Sequence, residues 1–102
     1  MQYTLSENPN DLSILFTGEL TLNDEETFRS LSGEVVGTSR SKCIIDVTQL
    51  EFLDSAGLGL LLVLKEYCDD AGKSITLKVG DSAVKEILDI SEFESLIPYE
   101  DA

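Results

Sequence analysis

The sequence predicts an α/β fold: one domain over residues 1–102, with a mixed, mostly parallel sheet of four to five strands flanked by helices. Three observations carry that prediction. After an opening pair of strand-like segments, segments of strand and helix periodicity alternate along the chain, the pattern of crossovers in a parallel sheet. The opening pair is joined by a short turn, which makes an antiparallel hairpin at one side of the sheet. The chain has 102 residues, enough for one sheet-and-helix core without disulfides or metals.

The elements follow in order. Tyr3 to Ser6 reads as a short strand, followed by a turn at Glu7-Asn8-Pro9-Asn10-Asp11. Leu12 to Leu20 reads as the second strand, because Leu12, Ile14 and Phe16 alternate with Ser13, Leu15 and Thr17. A helix comes next. Asn23 is its expected N-cap, with Glu26 three residues on and Asp24, Glu25 and Glu26 at the positive end of the dipole. Phe28, Leu31 and Val35 share its buried face, and Gly37 is expected to end it with a left-handed cap. Cys43 to Val47, an apolar run interrupted by Asp46, reads as a central strand covered on both faces. Asp54 to Gly59 reads as a loop into a helix from about Gly57 to Ala71, capped by Gly72. Ser74 to Val79 is a further strand. Asp81 to Ile90 is a helix with Val84, Ile87 and Leu88 inward, and Ser91 to Ile97 is a shorter one stopped at Pro98. The tail Glu100-Asp101-Ala102 is expected to fray.

Composition narrows the function. The formal net charge is -13, from 20 acidic and 7 basic residues. Nucleic acid and anionic membrane both need a basic footprint, so neither is an expected partner; a protein with a basic docking face is. There is no histidine, the usual general base and metal ligand. Cys43 and Cys68 are unclustered and read as core atoms, not as a metal site or a disulfide framework. No metal or other cofactor is therefore expected. The start Met1-Gln2-Tyr3-Thr4 has no signal-peptide pattern. No apolar run approaches the roughly 20 residues of a membrane helix. The default expectation is a cytoplasmic protein.

The stretch Asp54-Ser55-Ala56-Gly57-Leu58-Gly59 carries the functional signal. A serine at a helix N-terminus faces unpaired backbone N–H groups and the positive end of the dipole. Gly57 and Gly59 are expected to let the backbone turn and to leave room for a partner. Helix capping is the plainer role for Ser55. On a helical wheel of about 100° per residue, Leu60, Leu61, Leu64, Tyr67, Cys68 and Ala71 form the expected core face. Leu58 and Leu62 fall on the polar side with Ser55, where an apolar pair suggests a contact surface. The loop Leu20-Thr21-Leu22 is the other element able to cover them. A phosphate on Ser55 adds roughly -1.5 to -2 charges. Beside Asp54 and that apolar stripe, it would oppose a partner that buries Leu58 and Leu62. An enzyme reading needs a nucleophile with a base. Asp46 and Asp54 are the only pair on offer, with no pocket suggested.

With these residues in view, the chain resembles a known family. Asp54-Ser55-Ala56-Gly57-Leu58-Gly59, preceded by Ile45-Asp46-Val47 and Leu50-Glu51-Phe52-Leu53, looks like the signature of STAS domains. Within them it is similar to the bacterial anti-sigma-factor antagonists. Phe16-Thr17-Gly18-Glu19-Leu20 and Ala83-Val84-Lys85-Glu86-Ile87-Leu88 fit the same family. The resemblance implies that a serine protein kinase, usually itself the anti-sigma factor, phosphorylates Ser55. The unphosphorylated antagonist binds that kinase, and a serine phosphatase restores it. The implied docking face holds Glu19, Thr21, Asn23 and Asp24 together with Asp54, Ser55, Ala56, Gly57, Leu58, Gly59 and Leu62. Two departures stand out: Thr21 replaces the aspartate that many relatives carry after Gly-Glu-Leu, and Ala56 replaces a frequent hydroxyl residue. Similar single-domain STAS proteins serve other partner-switching pathways, and some act as subunits of lipid-transport complexes; the alternative function is a constitutive subunit that docks on a transporter ATPase and is not phosphorylated.

Overall fold

Apolar residues two apart on β2 and three to four apart on the helices bring one set of side chains to a common core. The computed structural model describes residues 1–100. Its elements are β1 (Gln2–Glu7), β2 (Leu12–Leu20), α1 (Glu25–Gly37), β3 (Lys42–Leu53), α2 (Ser55–Asp70), β4 (Ser74–Lys78) and α3 (Lys85–Ile90). Single 3-10 turns lie at Leu22–Asp24 and Phe93–Ser95. The sheet order is β1-β2-β3-β4. β1 pairs antiparallel with β2, while β2–β3 and β3–β4 are parallel. This is the predicted mixed, mostly parallel sheet, at the lower strand count.

Leu12, Ile14 and Phe16 of β2 and Cys43, Ile45 and Val47 of β3 are buried. Phe28, Leu31 and Val35 of α1 and Leu61, Leu64 and Cys68 of α2 close over them. The Phe16 and Phe28 rings stack with centroids 5.4 Å apart, tying α1 to the sheet. The Cys43 and Cys68 thiols are free and buried, at the start of β3 and the end of α2. The neighbouring Cys68 thiol, then burial, pushes the Cys43 thiol far above its ordinary range, so it packs as an inert apolar group.

Several local expectations change. β3 runs to Leu53, well beyond Val47, and alternates instead of being buried on both faces. Ile44, Asp46 and Thr48 are only half-buried, and Asp46 accepts hydrogen bonds from the Thr48 N–H (2.9 Å) and hydroxyl (2.6 Å). Asn23 is not the cap of α1. The capping box is formed one turn earlier by Thr21 and Asp24 around the 3-10 turn. Gly37 is helical, and α1 ends at Thr38, whose N–H and hydroxyl both donate to the Val35 carbonyl. Gly72 does cap α2. At φ 73° it forms a Schellman closure, with Gly72 N donating to Asp69 O and Lys73 N to Cys68 O. Tyr67 and Ala71 are exposed, outside the expected core face.

The expected helix from Asp81 begins only at Lys85, after a tight turn in which Ser82 N bonds Val79 O. Val84 and Leu88 are buried as expected, and Ile87 packs partly against the core. The stretch after Ser91 shortens to the 3-10 turn at Phe93–Ser95. Glu100 is held, not frayed: its carboxylate pairs with Lys42 (3.2 Å) and accepts from the Thr76 hydroxyl (2.9 Å). Those two bonds, the Thr76 one first, hold its pKa below the usual carboxylate range. The rest of the tail, Asp101-Ala102, lies outside the described residues.

Candidate functional site

Parallel strands β2 and β3 deliver two turns to the same edge of the sheet. Leu20, the last residue of β2, pairs with Leu53, the last of β3. The Asp54 N–H then donates to the Leu20 carbonyl at 3.3 Å, fastening the start of α2 to the end of β2. Asp54 is the N-cap of α2: its Oδ1 accepts from the Gly57 N–H at 2.7 Å. Ser55 is therefore the first helical residue and not the cap. Its side chain is exposed and makes no hydrogen bond among the described residues. The N–H groups of Ser55 and Ala56, ahead of the Gly57 N–H that Asp54 takes, have no acceptor within the helix. The hydroxyl is free for a reaction, in a place where the dipole and open N–H donors favour an anion.

Gly57 serves a purpose different from turning. It is buried and helical, and a Cβ there would lie 2.5 Å from the Leu20 carbonyl oxygen. Only glycine lets α2 approach β2 this closely. Gly59, one turn on from Ser55, is exposed with nothing within 4 Å of a would-be Cβ, so it does leave open space.

The remaining predicted residues divide. Glu19 is exposed at the end of β2, and Asn23 is exposed in the following turn. Thr21 and Asp24 are engaged with each other. The Thr21 N–H donates to Asp24 Oδ2 at 2.9 Å, and Thr21 Oγ1 accepts a long bond of 3.4 Å from Asn23 N. Asp24 is also buried, its Oδ1 paired with the Met1 ammonium at 3.2 Å. These two side chains hold the turn in shape and offer little to a partner. Leu58 and Leu62 are half-buried and pack against the core, so they are a flank of α2 and not the open apolar stripe the wheel suggested.

The open apolar surface lies elsewhere around Ser55. Phe52 is 44% exposed on β3, beside Glu19 in the strand register. On the other side Leu22 (64% exposed), Val63 (42%) and Tyr67 (44%) line a groove of about 400 Å³ between α1 and α2, reaching Ala56. The wheel carried a trace of this groove in the spacing Ala56, Leu60, Val63, Tyr67. Only the position of α1 shows that the stripe borders a cleft. Asp46 and Asp54 do not form an acid–base pair: eight residues of extended strand set them about 26 Å apart, and each carboxylate is engaged locally. Among the described residues, no group of three or more His, Cys, Asp or Glu is placed to hold a metal, and no helix is long and apolar enough to cross a membrane.

Comparison with known proteins agrees with the fold. A family profile described as "Mlab, STAS domain" matches residues 3–98. A STAS-domain containing protein of Pseudomonas aeruginosa (strain UCBPP-PA14) is 31% identical over 91 residues, 89% of each chain. Among solved structures, the chain is similar to the anti-sigma factor antagonist SpoIIAA. The unphosphorylated form has a TM-score of 0.71 at 19% identity, covering 99% of this chain and 89% of that one. The phosphorylated form from Bacillus has a TM-score of 0.69 at 18% identity, covering 98% and 92%. A sulfate transporter family protein of Wolinella succinogenes shares the fold at a TM-score of 0.67 and 14% identity, covering 81% and 67%. The profile spans nearly every element of the fold, and on that match the chain belongs to the STAS-domain family.

Proposed function

We propose that this protein is an anti-sigma-factor antagonist of a partner-switching pathway, with Ser55 as its phosphorylation site. The unphosphorylated form binds a serine protein kinase that is also the anti-sigma factor, and a serine phosphatase restores that form. The observation that carries this reading is the free, exposed Ser55 hydroxyl at the start of α2, released from capping by Asp54. In the transfer, Ser55 Oγ attacks the γ-phosphorus of ATP, ADP leaves, and the hydroxyl proton passes to a base of the kinase. The product dianion sits at the helix N-terminus, which tolerates it, so the fold persists. A partner seated over Phe52 and Leu22 would have to desolvate that charge, so binding weakens. Of the predicted contacts, Glu19, Asn23, Ser55 and Gly59 are exposed, and Thr21, Asp54, Ala56, Leu58 and Leu62 are half-buried beside them. The protein itself needs no catalytic residue, cofactor or metal in this role, and it acts in the cytoplasm.

The fold also occurs in a sulfate transporter family protein, in line with the alternative of a constitutive subunit docked on a transporter ATPase. Ser55 separates the two readings, because a constitutive subunit has no use for a free acceptor. Incubation with a kinase that binds the protein, in the presence of ATP, is expected to place one phosphate on Ser55. Ser55→Ala is expected to keep that binding and Ser55→Glu to weaken it. Phosphate on another residue, or a bound kinase that transfers none, would overturn the switch. Stable binding to a transporter ATPase, unchanged in Ser55→Glu, would establish the alternative.

A further inference from the structure

We infer that the groove between α1 and α2 is a seat for one amphipathic α-helix of a partner protein, apolar along one face and basic along its edges. Leu22 and Phe28 form one wall, and Leu60, Val63 and Tyr67 the other, with bare Gly59 on the same α2 wall. The wall on α2 repeats at positions 56, 60, 63 and 67, the three-and-four spacing of a helix-packing seam. From Ala56 to Tyr67 it is about 16 Å long, three turns of helix. The bare Cα of Gly59 allows the close approach that helix packing needs.

The rims state the charge of the occupant. On α2, exposed Glu66 and Asp70 follow Val63 and Tyr67 at three-residue spacing, which sets them beside the groove-lining stripe on the helix surface. On α1, exposed Glu25 and Arg29 face it, and Arg29, the base on these rims among the described residues, is paired with Glu25 at 3.5 Å. Lysine or arginine beside an apolar seam would meet acid along the α2 side, where no base neutralises Glu66 and Asp70, while the α1 side carries the Glu25–Arg29 pair. A second copy of this chain would bring another charge of -13 to the same place. A small apolar ligand would lie half in water, because Leu22, Val63 and Tyr67 are all exposed along the cleft. A helix covers such an open seam along its full length.

This inference rests on the partner-docking half of the proposed function and not on phosphorylation of Ser55. The probe is a designed peptide of about 16 residues with a leucine seam and lysine flanks, titrated into the isotope-labelled protein and followed by NMR shifts. The expected result is saturable shifts centred on Gly59, Leu60, Val63, Tyr67, Leu22 and Phe28. The same seam with glutamate flanks is expected to bind at least about tenfold more weakly. Gly59→Leu keeps every surface charge, suits a helix, and fills the cleft; it is expected to weaken the lysine peptide by at least about tenfold with no loss of melting temperature. Shifts spread over the acidic surface, or unchanged in Gly59→Leu, would overturn the proposal. So would concentration-dependent dimerisation that Gly59→Leu abolishes, which would assign the groove to a second copy. Because the peptide carries no kinase, failure here leaves Ser55 phosphorylation standing, and failure of phosphorylation leaves the groove standing.

Discussion

Two helix starts lie side by side at one edge of the sheet, and they use the same chemistry to opposite ends. At the start of α1, the hydroxyl of Thr21 and both carboxylate oxygens of Asp24 are taken by Asn23 N, Thr21 N and the Met1 ammonium. At the start of α2, a single carboxylate oxygen of Asp54 makes the cap, and Ser55 beside it is left free. A hydroxyl serves a cap or a reaction, not both at once. Putting the aspartate at the cap and the serine one residue later frees the serine while keeping the helix terminated. The first turn is a brace, and the second is a presented site held against that brace through the Leu20 carbonyl.

The largest way to break this pair is Gly57→Ala. A methyl group 2.5 Å from the Leu20 carbonyl oxygen cannot be relieved by a rotamer, since the obstacle is backbone. The two turns must separate, at an expected cost of about 2–3 kcal/mol, read as a fall in denaturation midpoint. Amide exchange should quicken at Asp54, whose N–H bonds the same carbonyl. A stability equal to wild type would show that the turns are not coupled through Leu20.

Asp24→Ala tests the braced side alone. It removes the acceptor of Thr21 N and leaves the Met1 ammonium without its partner in a buried place. The expected loss is about 1–3 kcal/mol, with phosphorylation of Ser55 retained. Asp54→Ala is smaller in stability and sharper in function. Loss of one N-cap costs about 1 kcal/mol. Ser55 then becomes the residue able to cap the helix, so phosphate transfer to it should slow. If Asp54→Ala lowers stability but leaves transfer unchanged, the division of labour between cap and acceptor is wrong.

How much of this was legible in the sequence differs between the two turns. The order of elements, the hairpin, the parallel pairs and Ser55 at a helix start follow from periodicity and from the Asp-Ser-Ala-Gly stretch. The cap at α1 is not legible because Thr21, Asn23 and Asp24 all have capping side chains, and only the 3-10 turn selects Thr21 with Asp24. Gly57 read as a turn residue because glycine has two uses, torsional freedom and close approach, and the second depends on where Leu20 ends. The wheel placed Leu58 and Leu62 in water because it knows the helix and not its neighbours. Both are half-buried against the core, while Val63 and Tyr67 open onto the groove that α1 creates.

The smallest expected effect separates function from fold. Ser55→Ala removes a hydroxyl that is exposed and unbonded among the described residues. The change in stability should stay within about 0.5 kcal/mol, since the cap is Asp54 and alanine suits the first helical turn. Thr21→Val, at the braced turn, removes a bond already stretched to 3.4 Å but also half of a capping box, and should cost slightly more. The ranking is the informative quantity. If Ser55→Ala destabilised the protein more than Thr21→Val, the Ser55 hydroxyl would belong to the architecture of the turn, and its release for phosphorylation would have to be paid in stability. If it is silent in stability and abolishes phosphate incorporation, the residue is held in place for its reaction alone.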